Sequence, residues 1–222
     1  MFFLAKLTDV FSIVDITYIF YSTSQWVAIE SNSGYLTYVC NIKFKIMKTL
    51  IIVIHPDLPG AVVNKRWVEE LKKFPDRYVI HQLHECYPDG KIDVHCEQQL
   101  VEQYDQIVFQ FPYYWFNCPW LFKKWLDEVL THGWAYGSKS GYKLAGKTIA
   151  LAISVGVDEA DYLPSGTYNY TLAELLRPFE LSFGYVKADY QPPFTYYGIE
   201  YHSTAEWIEK SVQPYMDFLN AL

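Results

Sequence analysis

The sequence predicts an α/β protein, a doubly wound parallel sheet of five strands with helices on both faces. Two observations predict it. Short, almost wholly apolar runs, as buried parallel strands are written, alternate with segments of helical period. Asp105 to Leu130 then gives one complete unit of that alternation: apolar run, ring-rich loop, amphipathic helix.

The first strand is Lys48 to Ile54, which follows Met47 and ends at His55-Pro56. The loop Asp57-Leu58-Pro59-Gly60 leads into a helix with Val63, Trp67, Val68 and Leu71 on one face. A strand, a glycine turn and a helix start leave backbone N–H groups for an anion. The loop is neither G-x-G-x-x-G nor a Walker A loop. Tyr78 to Leu83 reads as the second strand, Asp93 to Tyr104 as a helix, and Asp105 to Phe111 as the third strand. Pro112 is expected to stop its ladder, having no N–H to donate.

Tyr113, Tyr114, Trp115 and Phe116 follow as four adjacent aromatics. Adjacent rings cannot all point inward, so the segment reads as a platform for a flat ligand. In an open α/β sheet such a loop lies at the carboxyl end of the strand, where ligands bind. Pro119 then opens a helix with Leu121, Phe122, Trp125, Leu126, Val129 and Leu130 on one face. Lys147 to Ser154 is the fourth strand and Val155-Gly156-Val157 its turn. Asp158 to Asn169 is a polar loop carrying Tyr162 and Tyr168. Thr171 to Glu174 is a capping box that starts a helix. Tyr185 to Tyr190 is the fifth strand, broken by Gln191-Pro192-Pro193. A second capping box, Ser203 to Glu206, opens a last helix that runs through Trp207, Val212, Tyr215 and Leu219.

The net charge of −7 argues against a nucleic-acid binder, which would carry a basic stripe. No Lys/Arg run or basic amphipathic helix points to a membrane surface. The four cysteines, Cys40, Cys86, Cys96 and Cys118, form no C-x-x-C pair, and free thiols suggest a reducing, cytoplasmic setting. His81, His84 and His95 have no metal-site spacing, so no metal is expected. Residues 1–46 read as an N-terminal extension, either an artefact of cloning or start-site choice or a poorly ordered segment. The alternative is an appended hairpin with strands at Ile13–Ile19 and Leu36–Ile42. The working domain is then 47–222. On residue type alone, His55 is a strand-end residue, Asn64 a first-turn polar residue, and Tyr162 and Tyr168 loop residues.

Five ordered motifs add a resemblance: HPDLPGAVVN (His55 to Asn64), QFPYYWFNCPWLFKKWLDEVL (Gln110 to Leu130), GWAYG (Gly133 to Gly137), SVG (Ser154 to Gly156) and YLPSGTYNYTLAELLRPFE (Tyr162 to Glu180). They resemble the flavodoxin-like NAD(P)H:quinone oxidoreductases. Bacterial members include general-stress NAD(P)H oxidoreductases and ancillary subunits of glutathione-gated potassium efflux systems. The resemblance implies FMN or FAD as cofactor, NAD(P)H as co-substrate, and a homodimer with the active site at the subunit junction. It also implies two-electron, ping-pong reduction of a quinone or similar flat acceptor.

Carried over by residue, the resemblance puts His55 and Asn64 at the flavin phosphate, with Ala61 where many members have Ser or Thr. It puts Pro112, Tyr113, Tyr114, Trp115 and Phe116 along the isoalloxazine. Ser154, Val155, Gly156 and Val157 face its polar edge. It makes Tyr162, Gly156 and Tyr168 catalytic, the first two as donors and Tyr168 where animal quinone reductases have histidine. Two rivals remain: a one-electron carrier of the flavodoxin type, and a flavin-binding regulatory subunit docked to a membrane potassium efflux system.

Overall fold

The computed structural model describes Lys48–Leu222. The hairpin considered for 13–19 and 36–42, together with Cys40 and Met47, lies outside the described residues. The elements run β1 (Thr49–Val53), α1 (Val63–Leu71), β2 (Tyr78–Gln82), α2 (Leu83–Cys86), α3 (Val94–Glu102), β3 (Gln106–Pro112), α4 (Trp120–Val129) and β4 (Thr148–Ser154). A 3-10 turn, Glu159–Tyr162, follows. The chain continues through α5 (Leu172–Leu175), α6 (Arg177–Tyr185), β5 (Asp189–Tyr190), β6 (Phe194–Tyr196), α7 (Ile199–His202), α8 (Ala205–Lys210) and α9 (Val212–Ala221).

All strand pairs are parallel, in the order β2-β1-β3-β4-β5, with β6 also on β4. The central strands are apolar throughout because both faces are covered. Leu50, Ile52, Phe109 and Leu151 turn to one face, under Val101, Phe122, Trp125 and Phe183. Ile51, Val53, Val108 and Ala150 turn to the other, under Trp67, Leu71, Tyr215 and Leu219. Phe109 stacks on Phe122 at 4.6 Å, and Trp67 on Tyr215 at 4.6 Å. Burying each such ring is worth about 1.5–3 kcal/mol. The indole N–H groups stay satisfied: Trp67 donates to Ser211 and Trp125 to Glu97.

Several boundaries differ from those read in the sequence. Pro112 does not stop the ladder. It pairs with Ser154 as the last residue of β3, and the Tyr113 N–H carries on to the Ser154 carbonyl at 2.8 Å. A terminal strand position needs no N–H of its own there. The fifth strand does not begin at Tyr185, which ends α6. Only Asp189 and Tyr190 pair before Gln191-Pro192-Pro193, and the chain then returns to β4 as β6. The fifth position is one edge strand cut in two by prolines. The second capping box fails: Thr204, not Ser203, caps α8, since the Ser203 hydroxyl is bonded to the Ile199 carbonyl and Glu206 pairs with Lys210. The last helix is split at Ser211. The first capping box, Thr171 with Glu174, is formed.

The three histidines considered for a metal have separate partners. His81 meets buried Glu97 at 2.8 Å, His84 packs edge-on against Trp120, and His95 bonds Gln99.

Candidate active site

A cleft of about 620 Å³ opens across the carboxyl ends of β1, β3 and β4. In this strand order the connections from β1 and β3 leave in opposite directions, so the backbone opens a crevice there. His55, Asn64, Pro112, Tyr113, Tyr114, Trp115, Phe116, Ser154, Gly156, Val157, Tyr162 and Tyr168 all line it. Each was singled out from sequence. Val155 does not line it: its side chain is buried in the core and its N–H donates to the Tyr196 carbonyl.

One end of the cleft is built by the β1–α1 loop. Val62 holds the N-cap position of α1 and has no side chain that can cap. The first intrahelical bond runs from Arg66 N–H to Val62 C=O. The amides from Val62 to Lys65 therefore precede the helix ladder, at the positive end of its dipole. Asp57 folds the loop by accepting the Gly60 N–H at 3.1 Å; a Cβ on Gly60 would meet Asp57 Oδ2 at 2.2 Å. His55 Nδ1 accepts the Asp57 N–H at 3.1 Å, which assigns the ring proton to Nε2. Burial holds the His55 pKa below its usual value, against the pull of Asp57. A neutral imidazole N–H donor thus stands beside the free amides.

Asn64 lines the same end, but its side chain is not a free donor. It is 2% exposed, its amide nitrogen donates to Ser154 Oγ at 2.7 Å, and its oxygen accepts from Gln110 at 3.1 Å. At this end of the cleft Asn64 therefore offers its backbone N–H rather than its side chain.

The ring-rich loop is a tight reversal. Tyr114 and Asn117 exchange backbone hydrogen bonds of 3.0 and 2.9 Å. Trp115 (φ 48°) and Phe116 (φ 57°) between them are both left-handed, the pattern of a type I′ turn. Only three of the four rings form a platform. Tyr113 turns inward and its hydroxyl donates to the Phe116 carbonyl. Trp115 is 94% exposed, while Tyr114 and Phe116 stand half out. Phe116 meets Tyr168 edge-on at 4.9 Å.

The opposite wall is the turn after β4. The Val155–Val157 backbone is clamped by a second segment: Gly198 N–H donates to Val157 C=O, Ile199 N–H to Val155 C=O, and Glu200 N–H to Gly156 C=O. No hydrogen bond among the described residues takes the Gly156 or Val157 N–H. A Cβ on Gly156 would lie 2.5 Å from Glu200 Oε1, so glycine leaves room for that carboxylate. Tyr162 stands beside this wall, buried among Tyr113, Tyr168 and Tyr197. No partner among the described residues uses its hydroxyl. Burial, then Tyr168, Tyr197, Asp161 and Glu200, push its pKa up to about 12. It is a neutral donor at pH 7. Ile199 and Glu200 also line the cleft and were missed in the sequence. They reach it by tertiary packing over more than forty residues, with no local motif.

These features define a doubly wound α/β protein with its ligand cleft at the topological switch point. The chain belongs to the family described as having a flavodoxin-like fold, which matches residues 47–219. It is 49% identical over 175 residues to a Bacillus subtilis protein named as the uncharacterized NAD(P)H oxidoreductase YrkL, covering 79% of this chain and 99% of that one. It is 37% identical to the glutathione-regulated potassium-efflux ancillary protein KefG of Cronobacter sakazakii, covering 72% and 85%. Among solved structures, general stress protein 14 of Treponema denticola, in complex with FMN, has a TM-score of 0.74 at 49% identity, covering 78% and 98%. An NADPH-quinone reductase from P. pentosaceus has a TM-score of 0.69 at 29% identity, covering 78% and 97%.

Proposed function

We propose that this protein is an NAD(P)H oxidoreductase that holds FMN in the cleft and passes two electrons, as a hydride, to a quinone or similar flat acceptor. The observation that carries the reading is the polarity of the cleft. One end offers uncapped helix amides and the His55 N–H, one wall offers exposed rings, and the other offers two unbonded backbone N–H groups beside Tyr162. A phosphorylated, flat, edge-polar cofactor matches all three. FMN is preferred to FAD because the related general stress protein 14 was solved with FMN.

FMN, when bound, supplies the hydride acceptor and donor. The residues supply position and field. The α1 amides and His55 hold the phosphate. Trp115 and Phe116 wall the ring and exclude water. The Gly156 and Val157 amides and the Tyr162 hydroxyl offer three donors to negative charge on that wall. One cleft serves both substrates in turn, hence a ping-pong cycle. Tyr168 packs between Phe116 and Tyr162 and holds both rings in place.

The purified protein is expected to be yellow, with about one FMN per chain, and to oxidise NAD(P)H steadily when a quinone is added. A colourless protein that gains no flavin spectrum with excess FMN overturns the reading. Flavin without steady turnover leaves the one-electron carrier. Exposed Leu181 and Tyr185 on α6 support a homodimer. Trp134 adds little to such an interface, because its indole N–H is bonded to Glu102. Light scattering that reports a monomer at micromolar concentration counts against the dimer. Similarity to KefG supports docking to a membrane transporter, and the free thiols Cys86, Cys96 and Cys118 support a cytoplasmic setting. No helix among the described residues is long and apolar enough to cross a membrane.

A further inference from the structure

We propose that Gln110 and Tyr215, core residues that do not line the cleft, are positioning residues of the site: they free the Ser154 hydroxyl proton to be donated into it. Gln110 is the polar residue in the middle of β3, between Phe109 and Phe111. Gln110 and Tyr215 are fully buried, and Asn64 and Ser154 are each 2% exposed. The four form one chain of hydrogen bonds. The Tyr215 hydroxyl donates to Gln110 Oε1 at 2.8 Å. Gln110 Nε2 donates to both the Asn64 carbonyl and Asn64 Oδ1 at 3.1 Å. Asn64 Nδ2 donates to Ser154 Oγ at 2.7 Å.

The direction of this chain is fixed by one atom. A backbone carbonyl can only accept, so the Asn64 C=O must face the Gln110 nitrogen. The Gln110 oxygen must then face Tyr215. Asn64 must turn its oxygen to Gln110 and its nitrogen to Ser154. Ser154 Oγ is therefore always an acceptor toward Asn64, and its proton must point elsewhere. No hydrogen bond among the described residues takes that proton, and Ser154 lines the cleft. The remaining acceptor is the ligand. The site thus suits a ligand that presents a lone pair opposite Ser154, where the hydroxyl proton has no acceptor among the described residues. Phosphorylated flavins, rich in carbonyl and phosphate oxygens, meet that demand. The inference rests on the FMN reading only for the identity of the ligand.

The test is FMN affinity of the full chain, freed of flavin and titrated by fluorescence, in the parent, Ser154→Ala, Gln110→Met and the double variant. Ser154→Ala and Gln110→Met should each weaken FMN roughly five-fold, the effect of one hydrogen bond. The double variant should match Ser154→Ala within two-fold, because Gln110 acts only through that hydroxyl. A purely structural Gln110 would weaken binding equally in both backgrounds, and that result overturns the proposal. If Gln110→Met does not fold, Tyr215→Phe, which keeps the ring, is read in the same cycle. Equal loss with and without the Ser154 hydroxyl overturns the proposal there too. A parent that does not bind FMN fails the functional reading itself, before any variant is compared. Additive losses in a parent that does bind FMN fail the relay alone.

Discussion

Replacing Tyr162 by Phe isolates a single hydroxyl. No residue in the described chain accepts from or donates to that hydroxyl, and the ring contacts to Tyr113, Tyr168 and Tyr197 survive in phenylalanine. Folding stability should therefore stay within about 0.5 kcal/mol, as for a substitution that breaks no contact. The hydroxyl is un-ionised at pH 7, since its pKa stands at about 12. It can act only as a donor to charge. Loss of one such donor costs about 2.7–4 kcal/mol in favourable cases. Here the Gly156 and Val157 amides share the wall, so about 1.4 kcal/mol is expected, or roughly ten-fold in rate. Because the donor acts on the charged state, the loss should fall on turnover and spare flavin content. Stopped-flow reduction by NAD(P)H reads the rate, and absorbance reads flavin content. A Phe variant within two-fold of the parent would show that the Tyr162 hydroxyl takes no part in the reaction. A variant that loses flavin instead would show that it is a binding residue.

Gly166 should not tolerate alanine: a Cβ there would lie 2.2 Å from the Ala160 carbonyl oxygen and 2.7 Å from that of Asp161. Gly166→Ala should cost on the order of 1–3 kcal/mol in chemical denaturation and displace Tyr162 and Tyr168; unchanged stability and turnover would refute this. Burial holds His55 and His84 below the usual 6.5. As pH falls below that value the unfolded chain takes protons first, so their contribution is fully present above pH 6.5 and is lost progressively below it. Melting between pH 8 and 5 should show a shallower acid decline in the His55→Asn/His84→Asn double variant, and an unchanged slope would refute it. A chain starting at Met47 should keep solubility and flavin binding, since the family match begins there; loss of either would make residues 1–46 structural.

The central strands were legible because both of their faces are buried, and an all-apolar run such as Ile107 to Phe109 has few other readings. The edge strand was not. Asp189-Tyr190 and Phe194–Tyr196 pair with β4 on either side of two prolines, and only the neighbouring strand fixes that register. Ser203 and Thr204 compete for one helix start, and the Ile199 carbonyl decides between them by occupying Ser203. The cleft was legible where its residues sit on strand ends, as His55, Pro112 and Ser154 do. Glu200 was invisible because it arrives from α7, far along the chain. Asn64 was placed at the cleft, but its side-chain partners were not legible, since a polar residue in a helix's first turn usually meets solvent and this one meets Gln110 and Ser154.

The turn at Trp115 and Phe116 has a consequence for how this protein would respond to selection for heat resistance. Left-handed backbone costs a bulky L-residue about 1–2 kcal/mol, and this turn imposes it twice in succession. Asn-Gly in the same two positions would remove most of that cost. A search for thermostable variants would therefore reach these two codons early. It would also strip the exposed indole and phenyl from the mouth of the cleft. On the proposed function, heat resistance and ligand capture are set against each other at one dipeptide.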